Sequence, residues 1–91
     1  MNDGNDTEGN SIGRASATLE YLAKALTENP EAVKVEVADG DGDATLLLLH
    51  ADKDDLGRLI GRRGHVIDSI RTVVRAIASR DGQTVEVDVA E

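Results

Sequence analysis

The aliphatic residues of this chain change their spacing several times, and the order of those changes limits what it can fold into. Leu19, Leu22, Ala23 and Leu26 recur at the spacing of one buried helix face. Val33, Val35 and Val37 then alternate with Lys34 and Glu36, the period of a half-buried strand. Asp39-Gly40-Asp41-Gly42-Asp43 supplies a turn before a second strand, Ala44 to His50, and the two read as an antiparallel hairpin. Helical spacing returns over residues 52–60 and again over 65–79. In the latter, Val66, Ile67, Ile70, Val73, Val74 and Ile77 form the buried stripe, and Asp68, Arg71, Thr72, Arg75 and Ser79 the outer one. After Asp81-Gly82, Val85, Val87 and Val89 alternate with Glu86 and Asp88 in a last strand. The order α-β-β-α-α-β predicts an α+β domain of two layers, a three-stranded sheet covered on one side by three helices.

Local chemistry sets the expected boundaries. Ser16 is a capping residue for a first helix over 15–28, and Asn29-Pro30 ends it, because asparagine tolerates the left-handed cap and proline disfavours helical geometry before it. Asp52 caps the helix over 52–60, with Asp55 as the capping-box acid, and Gly61 ends it. Residues 1–13 are rich in asparagine, aspartate, glycine, serine and threonine, with Ile12 as the single aliphatic residue. They are expected to form a disordered acidic tail ahead of a domain over 14–91. Leu46 to Leu49 are consecutive, so leucines point to both faces of the sheet. The face away from the helices therefore invites a partner, as does the small core of a 91-residue chain.

Charge is divided unevenly. Between Leu56 and Arg80 stand six arginines and one acid, Asp68, a net +5, while the remainder carries −13, giving −8 overall. A local basic segment is the electrostatic footprint of a polyanion site, and the bland alternative is a solvated helix face. The chain has no cysteine, which removes disulfides and thiolate metal sites. No apolar run is long enough to span a membrane, and the start lacks the features of a secretory signal, which reads as a cytoplasmic protein with no membrane association.

A glycine loop lies inside the basic segment. Gly61-Arg62-Arg63-Gly64 joins two helices, and the start of the second offers backbone N–H groups and a partial positive charge to a phosphate. The glycines remove Cβ atoms that would hold a sugar-phosphate chain away, and Arg62 and Arg63 add charge-assisted donors. Leu59, Ile60, Val66 and Ile67 supply an apolar wall for bases. A phosphate clamp beside an apolar groove fits a single-stranded nucleic acid. A dinucleotide site fits poorly, since the glycine spacing is wrong and no strand precedes the loop, and the lysine of a nucleotide-phosphate loop is missing.

LIGRRGHVI, residues 59–67, matches the (I/V/L)IGxxGxxI signature of KH domains at both glycines, Ile60 and Ile67. With the element order, it resembles the type II KH domain. NPEAVKVEV at 29–37, DDLGRLIGRRG at 54–64 and IRTVVRAIASRDGQTVEVDV at 70–89 resemble the KhpA family of small bacterial single-domain KH proteins, over about residues 15–90. The resemblance implies binding of single-stranded RNA with low sequence selectivity, as a post-transcriptional regulator or RNA chaperone linked to cell elongation and division. It also implies a homodimer, or a heterodimer with a larger Jag-type KH protein. The family's clamp falls on Gly61, Arg62, Arg63 and Gly64, and its groove aliphatics on Ile60 and Ile67. Tyr21 is the sole aromatic, so bases have no stacking platform, which agrees with a backbone clamp of modest affinity.

The other candidates carry a plainer reading beside the functional one. Arg71 and Arg75, one turn apart, either extend the phosphate track or form a solvated stripe with Asp68 paired to Arg71 or Thr72. Arg58 stands close to the clamp, and His65 either donates to RNA or is a partly exposed helix-start residue. His50 is read as structural. The aspartates at 39, 41 and 43 lack the glycine and glutamate of a calcium loop. No nucleophile and base stand in catalytic spacing, so no catalysis, cofactor, metal or small-molecule substrate is expected. The competing function is a protein-interaction adaptor, favoured by the two-faced leucines and the net acidity.

Overall fold

The computed structural model describes the backbone from Asp3 to Glu91 and side chains from residue 12 onward. Helix α1 spans Asp3–Leu26, strand β1 Lys34–Asp39, strand β2 Thr45–His50, helix α2 Leu56–Ile60, helix α3 His65–Arg80 and strand β3 Val85–Val89. Three short 3-10 turns stand before β1, α2 and α3, at Pro30–Ala32, Lys53–Asp55 and Arg62–Gly64. The order is the α-β-β-α-α-β read from the apolar spacing. The sheet order is β1-β2-β3, with β1 antiparallel to β2 and β2 parallel to β3, so the sheet is mixed.

The tail expected over 1–13 falls largely outside the described side chains, and residues 1 and 2 lie outside the described residues altogether. The α1 backbone is helical from Asp3, so Ser16 sits inside the helix and is not its cap. Ile12 packs on the core. At the other end α1 stops at Leu26, and Asn29 has φ −120° and ψ 67°, not the left-handed cap conformation expected of it.

All three helices lie on one face of the sheet, and the core fills the space between. Leu19 and Ala23 of α1, Leu47 and Leu49 of β2, Leu59 of α2, and Ile70 and Val74 of α3 are buried, with Val85 and Val87 of β3 beneath them. Each fully buried leucine contributes about 2 kcal/mol of transfer free energy. Leu46 and Leu48 turn to the uncovered face and are half-buried there, which accounts for the run of four leucines.

Three details of the expected core and strands differ. Val73 is 44% exposed and Ala78 is buried in its place, because the line of α3 that meets the core runs through Ile67, Ile70, Val74 and Ala78. Val37 is 53% exposed although it shares the helix-facing side of β1 with Val35, since β1 is an edge strand only partly covered by α1. Val33, expected within the strand, precedes β1 and is buried.

Candidate nucleic-acid interface

The loop between α2 and α3 has a backbone that ordinary residues resist. Gly61 has φ 77° and ψ 174°, a region open essentially to glycine alone. A Cβ there would collide with Val66 Cγ2 and come within 2.9 Å of the Val66 backbone nitrogen. Gly64 is left-handed, with φ 77° and ψ 13°, but has open space around it. Between them Arg63 is also left-handed, at φ 59° and ψ 23°, and it is the one non-glycine residue at positive φ among the described residues. That conformation costs an L-residue roughly 1–2 kcal/mol. The loop is pinned by Gly61 N donating to Gly57 O at 2.9 Å and Gly64 N to Gly61 O at 3.1 Å. His65 N donates to Arg62 O. These inward bonds take up part of the N–H array expected at the start of α3.

Arg62 and Arg63 are exposed and make no ion pair among the described residues. The neighbouring arginines differ. Arg58 Nη2 lies 3.3 Å from Glu28 Oε2, and its Nε lies 3.7 Å from Asp55 Oδ1. Arg71 Nη1 donates to Asp68 Oδ1 at 2.6 Å, and its Nε donates to Val87 O at 2.8 Å. Of the two readings open for Arg71 in the sequence, the pairing with Asp68 is present. Thr72 Oγ1 donates to the Asp68 backbone carbonyl at 3.1 Å, so the Asp68 carboxylate holds Arg71 alone. His65 is exposed on the first turn of α3, with Ser69 Oγ donating to its carbonyl at 3.0 Å.

The apolar wall is narrower than its four aliphatic residues suggested. Leu59 and Ile67 are core residues, at 0% and 5% exposure. Ile60 and Val66 are half-buried and flank the loop on its two sides. Ile67 therefore fixes α3 against the sheet, while Ile60 and Val66 present the accessible apolar surface.

Asp55 is the site's unexpected residue. Its side chain is buried and does not close a capping box. Oδ1 accepts from Glu28 N at 3.1 Å, and Oδ2 accepts from Asn29 N and Asn29 Nδ2, each at 3.1 Å. Asp52 alone caps the turn, accepting from Asp54 N at 2.9 Å. The Glu28 backbone donor, then the Asn29 donors and the Arg58 charge, hold the Asp55 carboxyl below its ordinary range, against burial, which pushes it up. The link ties α2, and so the glycine loop at its end, to the segment after α1. Nothing in the spacing of Asp55 pointed to residues 28 and 29, which are neighbours only in the fold.

The model of the KhpA/KhpB KH domain matches residues 16–89. A protein of Borreliella burgdorferi, "RNA-binding protein KhpA", is 30% identical over 79 residues, covering 87% of this chain and 95% of the relative. Proteins of the same name from Clostridium perfringens and Chlamydia trachomatis are 35% and 34% identical, over 78% and 80% of this chain and 93% and 92% of theirs. With this match across the α-β-β-α-α-β fold and its glycine loop, the chain belongs to the KhpA/KhpB family of KH domains.

Proposed function

We propose that this protein binds single-stranded RNA, clamping the sugar-phosphate backbone at Gly61, Arg62, Arg63 and Gly64 with Ile60 and Val66 against the bases. The observation that carries the reading is the contrast among the arginines. Arg58 and Arg71 are engaged by acids, whereas Arg62, Arg63, Arg75 and Arg80 are exposed without ion-pair partners among the described residues, and of these only Arg62 and Arg63 stand in the loop where Gly61, Arg63 and Gly64 hold positive φ. The relatives' name, RNA-binding protein KhpA, supports it. His65, exposed beside the clamp, is an auxiliary donor, and Ile67 acts by seating α3. Arg58 and Arg71 contribute to the field of the site more than to direct phosphate contact.

The same reading carries no catalytic step, cofactor or small-molecule substrate. It makes the protein a cytoplasmic post-transcriptional regulator or RNA chaperone, linked through its family to cell elongation and division. No helix among the described residues is long and apolar enough to cross a membrane. The test is Arg62→Asp with Arg63→Asp, titrated at low salt with a single-stranded RNA. Binding is lost while the circular dichroism spectrum persists, and a double variant that binds as the wild type does would sink the proposal.

A second reading, an adaptor working as a homodimer or with a Jag-type KH protein, has its own support. Val37 and Val73 are exposed, and Leu46 and Leu48 lie on an uncovered sheet face.

A further inference from the structure

The free edge of β3 carries a pattern that the loop does not explain. In a parallel ladder, alternate residues give both backbone groups to the same neighbour. Thr45 N donates to Thr84 O and Ala90 N to Leu49 O, each at 2.9 Å, so the even-numbered residues of this segment face β2. Val85, Val87 and Val89 therefore turn their N–H and C=O groups outward, because β3 ends the sheet. Two of these groups are taken by the chain's own side chains. Arg71 Nε donates to Val87 O at 2.8 Å, and Val89 N donates to Asp88 Oδ1 at 3.0 Å. Asp68 holds Arg71 in place through the 2.6 Å bond to Nη1.

This edge is within reach of RNA held at the loop. Arg71 lies seven residues beyond Gly64 on α3, about 10 Å at the helical rise. That distance corresponds to about three nucleotides at a stacked spacing of 3.4 Å. A strand edge offers acceptors and donors at fixed positions, and bases splayed from a clamped strand are read by such groups.

We propose that Arg71, locked by Asp68, together with Asp88, occupies the β3-edge groups that would otherwise pair with bases, and so sets a low base selectivity for the RNA. The inference rests on the RNA-binding reading above. It also gives the two side chains opposite signatures. Removing the Arg71 guanidinium frees the Val87 carbonyl, an acceptor that favours the amino groups of cytosine and adenine over uracil. Removing the Asp88 carboxylate frees the Val89 N–H, a donor that favours the uracil carbonyls.

The experiment titrates decamers of uridine, cytidine and adenosine with the wild-type full chain, with Arg71→Met, which retains an apolar stem, and with Asp88→Ala. The quantity read is the ratio of Kd values among decamers, because loss of an arginine weakens all three alike. The wild type holds the three within about threefold, less than one net hydrogen bond confers. Arg71→Met shifts the ratio toward cytidine and adenosine by about fivefold, the equivalent of one net hydrogen bond. Asp88→Ala shifts it toward uridine. Asp88 is exposed, so this second variant keeps the test open should Arg71→Met fail to fold. A wild type that binds none of the decamers overturns the RNA-binding reading and this inference with it. A wild type that binds but already discriminates more than about tenfold, over one net hydrogen bond, overturns the inference alone. So do folded variants whose ratios match the wild type.

Discussion

Gly61 and Gly64 look interchangeable in the sequence, yet the fold makes different demands on them. Gly61 has both a backbone region closed to other residues and a collision with Val66, whereas Gly64 has positive φ in open space. Gly61→Ala is expected to destabilise the protein by about 3 kcal/mol or more, and Gly64→Ala by about 1 kcal/mol. Urea denaturation of the two variants checks the ranking, and equal losses would contradict the Val66 contact. The presence of two glycines around two arginines was legible from the chain. Which glycine is sterically required was not, because Val66 approaches Gly61 only once α3 has turned back over the loop.

At the scale of elements, α2 is a five-residue helix that could not stand alone, since isolated helices of that length do not form. It is held by packing through Leu59 and by the Asp55 link to Glu28 and Asn29. Because the folded-state pKa of Asp55 is depressed, its contribution is present above the unfolded value of about 3.9 and is lost as pH falls below that through the folded value. Asp55→Asn is therefore less stable than the wild type at pH 7, and the gap narrows only below about pH 4. Chemical denaturation of both proteins from about pH 3 to about pH 7, the range in which a carboxylate titrates, measures it, and a gap independent of pH would refute the assignment. The helix over 52–60 was legible from Asp52 and Gly61. The role of Asp55 was not, since a carboxylate three residues after a cap reads as a local acid until a distant segment arrives with three donors.

Over the whole molecule, the −13 carried outside residues 56–80 surrounds a +5 segment, and the fold spends two of that segment's arginines on acids. Of the four arginines of the segment left without an ion pair among the described residues, Arg75 and Arg80 lie along α3, and Arg62 and Arg63 stand together in the loop as a small positive site in a negative field, which disfavours polyanions elsewhere on the surface. The small core and the exposed Val37 and Val73 bear on the adaptor reading. Under that reading, sedimentation at tens of micromolar gives a dimer that retains little RNA on purification. A monomer that still binds RNA under those conditions would argue against it.

The sequence by itself determined the element order and most of the buried residues, because apolar spacing reports which side of each element must leave water. It also placed the glycine loop between two helices, since glycine and helix-capping chemistry are local. Only the tertiary structure decided that β3 pairs parallel with β2, that α3 buries Ala78 in place of Val73, and that Arg71 closes the β3 edge. Those outcomes depend on contacts between residues far apart in the chain, which no local pattern encodes.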